Sequence, residues 1–416
     1  MVCIAPAMEP QAKGRGGERR RVAATLGRCR PHHAQADWSG QRRRGSHVVL
    51  GGYLLAVAWL LLLLCPPDVS AADWSIAPGV SFQLGYDDNQ VYEGDDGLEY
   101  VISPSFTATR KEERNSVAWS STLRLLFYSS DAKLNRVDQS HALNWQYNLD
   151  ERSDLSASAS FQASNGFDVF GTYDGDYRTS GTRYSLNIPL GYTRLMTELD
   201  ALSLGYAFAS VMYDGQGDDY TSNSVTIGWT HSFSEIFSAT LSTDGEVSTY
   251  EDGTQYSGSV NIGCGYRISE RIKADASVGL GYQHGWDGDD YVTGVGSISI
   301  SYATQYATWS ISYSRSISPS SSGTNSIRDY LNAALVWKIS ERFSITGSAD
   351  WSYNQSYGEN SRDQHTFSVS PGIEYALSEE WYLTLGAQHS YVQQMDGSYD
   401  FRNKVVLGIS WRGFYK

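Results

Sequence analysis

The sequence has few charged side chains and very few cysteines. Asp, Glu, Lys and Arg make up 19% of the 416 residues, against about 25% in typical soluble domains. After residue 72 the single cysteine is Cys264, so that region has no disulfide framework. The neighbours that share its parity are apolar, and we interpret Cys264 as a small apolar surface residue.

The region after residue 72 also lacks long helical patterns and positive charge. Residues 1–72 hold ten Lys/Arg and four Asp/Glu, so the rest holds 22 and 42 and carries a formal charge of −20. Such an acidic surface does not suit nucleic acid, because phosphates require a basic face. No nucleotide-binding loop, metal-ligand cluster or nucleophile constellation is present. We therefore expect no cofactor, no nucleic-acid partner and no enzymatic activity.

The first 72 residues have the composition of a leader. Residues 48–65 form an uninterrupted run of apolar or small residues, with three arginines at 42–44 before it and small residues at 69–72 after it. This arrangement is typical of a secretory signal peptide, cleaved here after Ala71 or Ala72. The run is also long enough for a membrane-spanning helix, which is the alternative. We predict an Arg-rich leader plus signal peptide over 1–72 and one domain over 73–416.

Residues 267–302 show the pattern that the rest of this domain repeats. From Ile272 to Tyr282 the even positions are apolar, and the odd positions are Lys, Asp, Ser or Gly. An Asp/Gly-rich loop follows, and then Ile298, Ile300 and Tyr302 alternate with serines. A period of two indicates a strand with one apolar and one polar face. The stretch therefore predicts a β-hairpin.

Short polar turns recur at a near-constant interval. Their acidic or amide residues lie 35 to 47 positions apart. These residues are Glu113, Glu151, Glu198, Glu235, Glu270, Gln305, Glu341 and Glu379. Eight such turns join nine hairpins and alternate with nine longer loops, which predicts eighteen antiparallel strands, with sixteen as the alternative.

The strands are long enough to cross a membrane. Each alternating run spans about 10–14 residues, and a tilted strand that crosses a bilayer needs about 9–11. Aromatic residues at the strand ends are typical of the girdles of membrane barrels. Examples are Tyr86, Tyr128, Tyr192, Tyr213, Tyr250, Tyr282 and Tyr353. Because backbone groups in lipid must pair within the protein, we predict a closed all-β fold, a transmembrane up-and-down antiparallel β-barrel over 73–416.

The opening of the barrel resembles a known family. The segment SFQLGYDDNQVY (residues 81–92), followed by YVISPSFTATR and RLLFYSSDAKL, is similar to the start of the β-barrel porin 2 group of Gram-negative outer-membrane proteins. Its short signature here is Tyr86-Asp87-Asp88-Asn89. The resemblance implies the outer membrane of a Gram-negative bacterium, with its lipid and lipopolysaccharide as surroundings. It also implies an association with exopolysaccharide or exosortase systems, which makes a polysaccharide a candidate partner.

The end of the chain suggests a further partner. The last predicted strand carries Trp411 and Phe414 near its end. It resembles the aromatic-ended last strand by which the barrel-assembly machinery recognises outer-membrane barrels, although Lys416 is the final residue. Nothing in the sequence specifies an oligomeric state.

The polar face carries charges of both signs. Ten of them are candidate pore-lining residues: Arg124, Arg183, Asp244, Glu246, Arg267, Lys273, Asp275, Lys338, Asp350 and Glu374. Opposed charges across a channel would create a transverse field and bind hydroxyl-rich solutes weakly. Pairing between neighbouring strands is an equally good interpretation.

The third long loop, residues 165–182, is the longest of the chain and the candidate constriction. If it folds inward, four charged residues would line the narrow part: Asp168, Asp174, Asp176 and Arg178. A position outside, over the mouth of the barrel, is nearly as well supported.

Two histidines are the only catalytic candidates. His389 is next to Ser390, but adjacent residues of a strand point to opposite faces. His284 lies near a run of acidic residues, which are also weak Ca²⁺ candidates: Asp287, Asp289 and Asp290. Asp-Gly is ordinary turn chemistry, and we favour structural roles for both histidines and no metal site.

These observations predict a passive channel for polar solutes or for an exported polysaccharide. The first alternative is a non-conducting barrel that acts as an adhesin or as the scaffold of an exopolysaccharide or secretion system. The second alternative is an outer-membrane hydrolase.

Overall fold

The structure, a computed structural model, describes residues 73–90, 95–165, 181–215, 217–285, 290–319, 325–356, 363–393 and 398–415. They form eighteen strands and one short 3₁₀ helix, Ala132–Leu134. The strands are β1 (Asp73–Gln90), β2 (Asp95–Lys111), β3 (Asn115–Tyr128), β4 (Arg136–Asp150), β5 (Ser153–Asn165), β6 (Gly181–Leu195), β7 (Asp200–Gly215), β8 (Tyr220–Ser232), β9 (Phe237–Tyr250), β10 (Thr254–Arg267), β11 (Ile272–His284), β12 (Asp290–Ala303), β13 (Ala307–Pro319), β14 (Asn325–Lys338), β15 (Phe343–Ser356), β16 (Asp363–Ala376), β17 (Trp381–Gln393) and β18 (Tyr399–Arg412). Among the residues described, no helix has the length and apolarity needed to span a membrane.

The sheet closes on itself. Each strand pairs antiparallel with the next strand along the chain, and β1 also pairs with β18, in a register from Gly79–Arg412 to Asp87–Lys404. The order is that of an up-and-down barrel of eighteen strands, which confirms the predicted count. Closure leaves no sheet edge along the paired part of the wall.

The strands are joined at one end of the barrel, the turn end, by connections of two to four residues. Each of these eight connections contains one of the predicted acidic or amide residues. A hydroxyl side chain shapes several of them: Ser340 Oγ accepts hydrogen bonds from the backbone N–H groups of Arg342 and Phe343, at 3.3 and 3.1 Å. Thr197 accepts the same two bonds in its turn. The opposite end is the loop end, and its nine connections have three to fifteen residues. The prediction of nine longer loops is therefore wrong for the β1–β2, β7–β8 and β9–β10 connections, which have four, four and three residues.

The large apolar side chains lie on the outside. Ile262 and Leu280, for example, are 65% and 67% exposed, where a soluble protein would bury them. Side chains of the opposite parity face the interior. For example, Glu374 on β16 and Arg412 on β18 form an ion pair that passes across the inner face of β17, the strand between them. The outer surface is therefore apolar and suited to lipid.

Candidate functional site: the barrel interior

The interior differs between the two ends of the barrel. Near the loop end most interior side chains are buried, among them Tyr128, Tyr213 and Tyr250, each less than 8% exposed. The prediction that these three tyrosines belong to an outward girdle is wrong. Each of them occupies an inward-facing position of its strand. Tyr128, for example, points to the same side of β3 as Arg124 and to the opposite side from Phe127. These rings fill space inside the barrel.

At the turn end, interior charges are exposed. Arg267, Lys273, Asp275 and Lys338 are all exposed, and within the described ranges none of them forms an ion pair. Arg267 and Lys273 stand opposite each other in the register of β10 and β11. Like charges side by side repel unless water separates them, so this part of the interior is suited to solvent.

Other predicted interior charges bind neighbouring side chains along the wall. Asp350 accepts hydrogen bonds from the Tyr330 hydroxyl and from Asn332 Nδ2, at 2.6 and 2.7 Å. Glu374 pairs with Arg412 at 2.7 Å. Arg124 lies 3.7 Å from Asp138 on β4, and Arg183 is 3% exposed.

The loop end of the β13–β14 hairpin lies inside the barrel. Pairing between β12 and β13 ends at Gly296–Arg315, although both strands continue toward the loop end. Beyond that point the hairpin reaches strands that are not its neighbours. The Asn325 backbone N–H donates to Gln255 Oε1 on β10 at 2.7 Å, and the Tyr250 hydroxyl of β9 donates to Asn325 Oδ1 at 3.4 Å. The end of the hairpin therefore crosses the inner face of β12, β11 and β10.

Apolar contacts hold the hairpin against this inner face. Ile317 and Ile327 are register partners on the parity that faces lipid elsewhere, yet Ile327 is only 3% exposed. A Cβ atom placed on Gly281 would lie 2.9 Å from both Ile317 Cδ1 and Val295 Cγ1. Glycine at 281 thus makes room for Ile317. Burial of a side chain of this size stabilises by about 1.5–3 kcal/mol.

A cavity of about 290 Å³ lies between the hairpin and the wall. It contains Asp244 and Glu246, two of the predicted interior residues, and Arg315. The Arg315 guanidinium donates to both carboxylate oxygens of Asp329, at 3.1 and 2.8 Å. Serine hydroxyls make up most of the remaining lining: Ser242, Ser257, Ser259, Ser277, Ser297, Ser314 and Ser316.

The cavity side chains are already linked by hydrogen bonds. Ser259 Oγ donates to Asp244 Oδ1 at 2.5 Å and accepts from Asn261 Nδ2 at 2.6 Å. The hydroxyls of Ser277 and Ser297 lie 2.9 Å apart. Such a surface offers hydroxyl and carboxylate groups to a solute and carries a net negative charge.

Two charged residues in β13 and β14 are a sequence signal of the inward hairpin. Arg315 and Asp329 stand on the apolar parity of β13 and β14, where lipid contact would make a charge costly. Their mutual ion pair and their position at the start of the inward segment account for both exceptions.

The catalytic candidates occupy structural positions. Ser390 is fully buried on the inner parity, whereas the His389 ring faces outward and its Nδ1 lies 2.7 Å from Asn403 Oδ1. His284 Nδ1 lies 2.6 Å from Asp290 Oδ1, and Asp290 also accepts a hydrogen bond from the Tyr282 hydroxyl. In the part of the chain that the structure describes, no group of three or more His, Cys, Asp or Glu side chains could hold a metal ion.

Several predicted residues lie outside the described ranges. They are the constriction candidates Asp168, Asp174, Asp176 and Arg178 and the calcium candidates Asp287 and Asp289. The leader, residues 1–72, also lies outside them.

A closed barrel of eighteen antiparallel strands with an apolar outer face defines an outer-membrane β-barrel protein of a Gram-negative bacterium. The comparison with sequence families agrees: the family described as outer membrane protein beta-barrel domain matches residues 235–412. No curated protein sequence matches the chain.

Three solved structures match most of this chain at low sequence identity. OccAB3 of Acinetobacter baumannii has a TM-score of 0.45 and 9% identity, with 82% of this chain and 100% of that chain covered. OpdQ of Pseudomonas aeruginosa has a TM-score of 0.44 and 7% identity, with 83% and 100% covered. The FrpB iron transporter of Neisseria meningitidis has a TM-score of 0.42 and 9% identity, with 81% of each chain covered.

Proposed function

We propose that the protein is a porin-like channel through which polar solutes cross the outer membrane passively. The observation that carries this proposal is the exposed set of interior charges at the turn end, Arg267, Lys273, Asp275 and Lys338. Charges without ion-pair partners require water, and eighteen strands enclose more space than their side chains fill. The inward β13–β14 hairpin narrows this space near the loop end.

Single-channel recording in a planar bilayer tests the proposal. We expect discrete conductance steps whose size increases with salt concentration. Folded protein, checked by its β-sheet circular dichroism and its detergent-resistant migration, that gives no steps would overturn the channel and favour the adhesin or scaffold alternative.

The third long loop can be tested in the same recording. If it folds inward, Asp168→Asn, Asp174→Asn or Asp176→Asn will shift the ion selectivity, and Arg178→Gln will shift it in the opposite direction. Unchanged selectivity in all four variants would reject an inward position.

A polysaccharide is the second candidate solute. The many serine hydroxyls of the inner face support it, because hydroxyls can exchange hydrogen bonds with a sugar chain as it moves, and the resemblance to the β-barrel porin 2 group suggests it. We expect soluble oligosaccharides to interrupt the ion current for longer as their chain length increases. Interruptions that do not depend on chain length would reject a polysaccharide route.

We also infer that the barrel is not an enzyme. The separation of His389 and Ser390 onto opposite faces supports this inference. A lipase or protease activity of the purified barrel that is lost in His389→Ala or His284→Ala would contradict it.

A further inference from the structure

The barrel wall opens between β12 and β13 near the loop end. On its other side β12 remains paired with β11 as far as His284–Asp290, and β13 remains paired with β14 as far as Pro319–Asn325. Between β12 and β13, however, the last pair is Gly296–Arg315. Residues 290–295 of β12 and 316–319 of β13 therefore diverge, and we call the gap between them the seam.

The seam is closed by side chains and not by backbone hydrogen bonds between its two strands. The Ile317 side chain covers it from the inside. It occupies the position next to Gly281 where a larger residue would place its side chain, and it lies near Val295. Separating two strands within a sheet would leave several backbone groups unsatisfied in lipid, at a large cost. Moving the Ile317 side chain away from Gly281 and Val295 breaks only apolar contacts, while the hydrogen bonds of Asn325 hold the end of the hairpin against β9 and β10. The seam is therefore a place where the barrel can open laterally.

The seam lies at the level where the membrane meets water. Its residue Val292 pairs with Tyr282, whose hydroxyl donates to Asp290 at 2.8 Å. A tyrosine with its ring outward and its hydroxyl near the strand end is typical of the headgroup level of a membrane barrel. Water is present at this level and satisfies backbone groups that the seam leaves exposed.

The outer side of the seam is apolar and lacks side chains at two positions of β12, and we call this strip the groove. Gly294 and Gly296 have no side chains, and a Cβ atom on Gly294 would meet nothing within 4 Å. The groove is flanked by Val278, Leu280 and Val292, which are 70%, 67% and 70% exposed. No large apolar side chain of the described strands is more exposed. An extended alkyl chain fits such a groove.

The inner side of the seam is the hydroxylated cavity. Gly296 and Arg315, the last paired residues, both line it together with Asp244 and Glu246. Apolar groove and polar cavity thus meet at one point of the wall. The two carboxylates disfavour an anionic headgroup by repulsion, whereas the serine hydroxyls suit a headgroup rich in hydroxyls.

We propose that the seam is a lateral portal for a single-chain amphiphile with an uncharged, polyhydroxylated headgroup. The headgroup enters the cavity and the alkyl chain stays in the groove, so that the molecule moves between the barrel and the outer leaflet. This route differs from passage along the barrel axis and does not require that the protein conduct ions.

Photolabelling in lipid vesicles tests the portal. The probe is an alkyl glucoside with a diazirine in its chain, and labelled peptides are located by mass spectrometry. We expect labelling of residues 290–297 and 314–317 above that of residues 137–149, which report general contact with lipid.

Competition tests the headgroup. Octyl glucoside below its micelle concentration should reduce the labelling, and neither free glucose nor octyl phosphate should. Labelling no higher than at residues 137–149 would overturn the portal, and equal competition by octyl phosphate would overturn the assigned headgroup.

A disulfide can hold the seam shut. In a Cys264→Ser background, Gly281→Cys with Ile317→Cys joins the hairpin to the wall, and oxidation should reduce the specific labelling to background while reduction restores it. The matched control is Ser301→Cys with Ser310→Cys, which joins register partners in the paired part of β12 and β13, outside the cavity lining and outside the labelled ranges. Oxidation of the control should leave labelling unchanged.

A second variant makes the test independent of disulfide formation. Gly294→Phe fills the groove, and Gly347→Phe is its control, because a Cβ atom at 347 also meets nothing within 4 Å and lies on the outward parity of β15. We expect loss of specific labelling in Gly294→Phe alone. Labelling that persists in both the locked and the filled variants would overturn the portal even if the barrel conducts. Specific labelling without conductance would leave the portal standing and reject the proposed channel.

Discussion

Arg402 binds Asp87 across the closure of the barrel, with Nε and Nη2 donating to the same carboxylate oxygen at 2.8 and 2.5 Å. Arg402 is 3% exposed and Asp87 is fully buried. The next two residues of the signature also bind the last strand. Asp88 accepts from the backbone N–H and from Nδ2 of Asn403, both at 2.6 Å, and Asn89 Nδ2 donates to the Phe401 carbonyl at 2.7 Å. The segment that resembles a family signature thus joins the first strand to the last.

The first prediction concerns this closure. Asp87→Ala should lower the free energy of unfolding by about 3–5 kcal/mol, because it leaves the buried guanidinium without this carboxylate. Asp88→Ala is the control at the surface and should cost about 1 kcal/mol. Urea unfolding in lipid vesicles, followed by tryptophan fluorescence, measures both. Equal losses of unfolding free energy in the two variants would show that burial does not make the Asp87–Arg402 pair more stabilising than the contacts of Asp88.

The second prediction concerns the inward hairpin. Gly281→Val should displace Ile317 from the wall, because a Cβ at 281 already lies 2.9 Å from Ile317 Cδ1, and overpacking of this kind costs about 1–3 kcal/mol. Hydrogen exchange of residues 316–319 should become faster, and the single-channel conductance should increase. Gly347→Val, where a Cβ meets nothing within 4 Å, is the control. Exchange that is unchanged at 316–319 would contradict the contact.

The third prediction concerns the exposed charges at the turn end. Lys273→Gln should make the channel more selective for cations, since it removes positive charge from the inner face. At low salt we expect a change of roughly twofold in the permeability ratio, and at 1 M salt, where the Debye length is about 3 Å, almost none. The reversal potential in a salt gradient measures it. Arg271→Gln, in the turn at residues 268–271, is the control and should leave the permeability ratio unchanged. A change as large as that of Lys273→Gln would mean that charges outside the pore affect the selectivity equally.

The fourth prediction concerns the turns. Ser340→Ala removes the acceptor of two backbone N–H groups and should lower the free energy of unfolding by about 0.5–1.5 kcal/mol. Ser340→Thr should be nearly neutral, because Thr197 and Thr304 accept the equivalent bonds in their own turns. Urea unfolding compares the two variants. If Ser340→Thr loses as much unfolding free energy as Ser340→Ala, the hydrogen bonds that the hydroxyl accepts do not account for the stabilisation.

Some of the predicted interior residues lie close together. Asp244 and Glu246 do lie in one cavity, and Lys273 stands beside Arg267. The inward hairpin was not predicted, because loop length favours residues 165–182 as the constriction. The outward position predicted for the tyrosines at 128, 213 and 250 was wrong. Tyrosine has an apolar ring and a polar hydroxyl, so its identity fits either face, and only its parity within the strand distinguishes them.

The alternation of apolar and polar residues was enough to predict the strands, their number and the side of its strand on which each residue stands. This was possible because the two faces of each strand meet different surroundings, so that lipid and water leave a period of two in the local sequence. The positions of Ile317 and Ile327 follow only from the course of the strands in space. Their parity marks an apolar face, but once β13 leaves β12 that face turns toward Val295 inside the barrel. Alternation specifies a side of the strand, and the course of the sheet in space specifies what lies on that side.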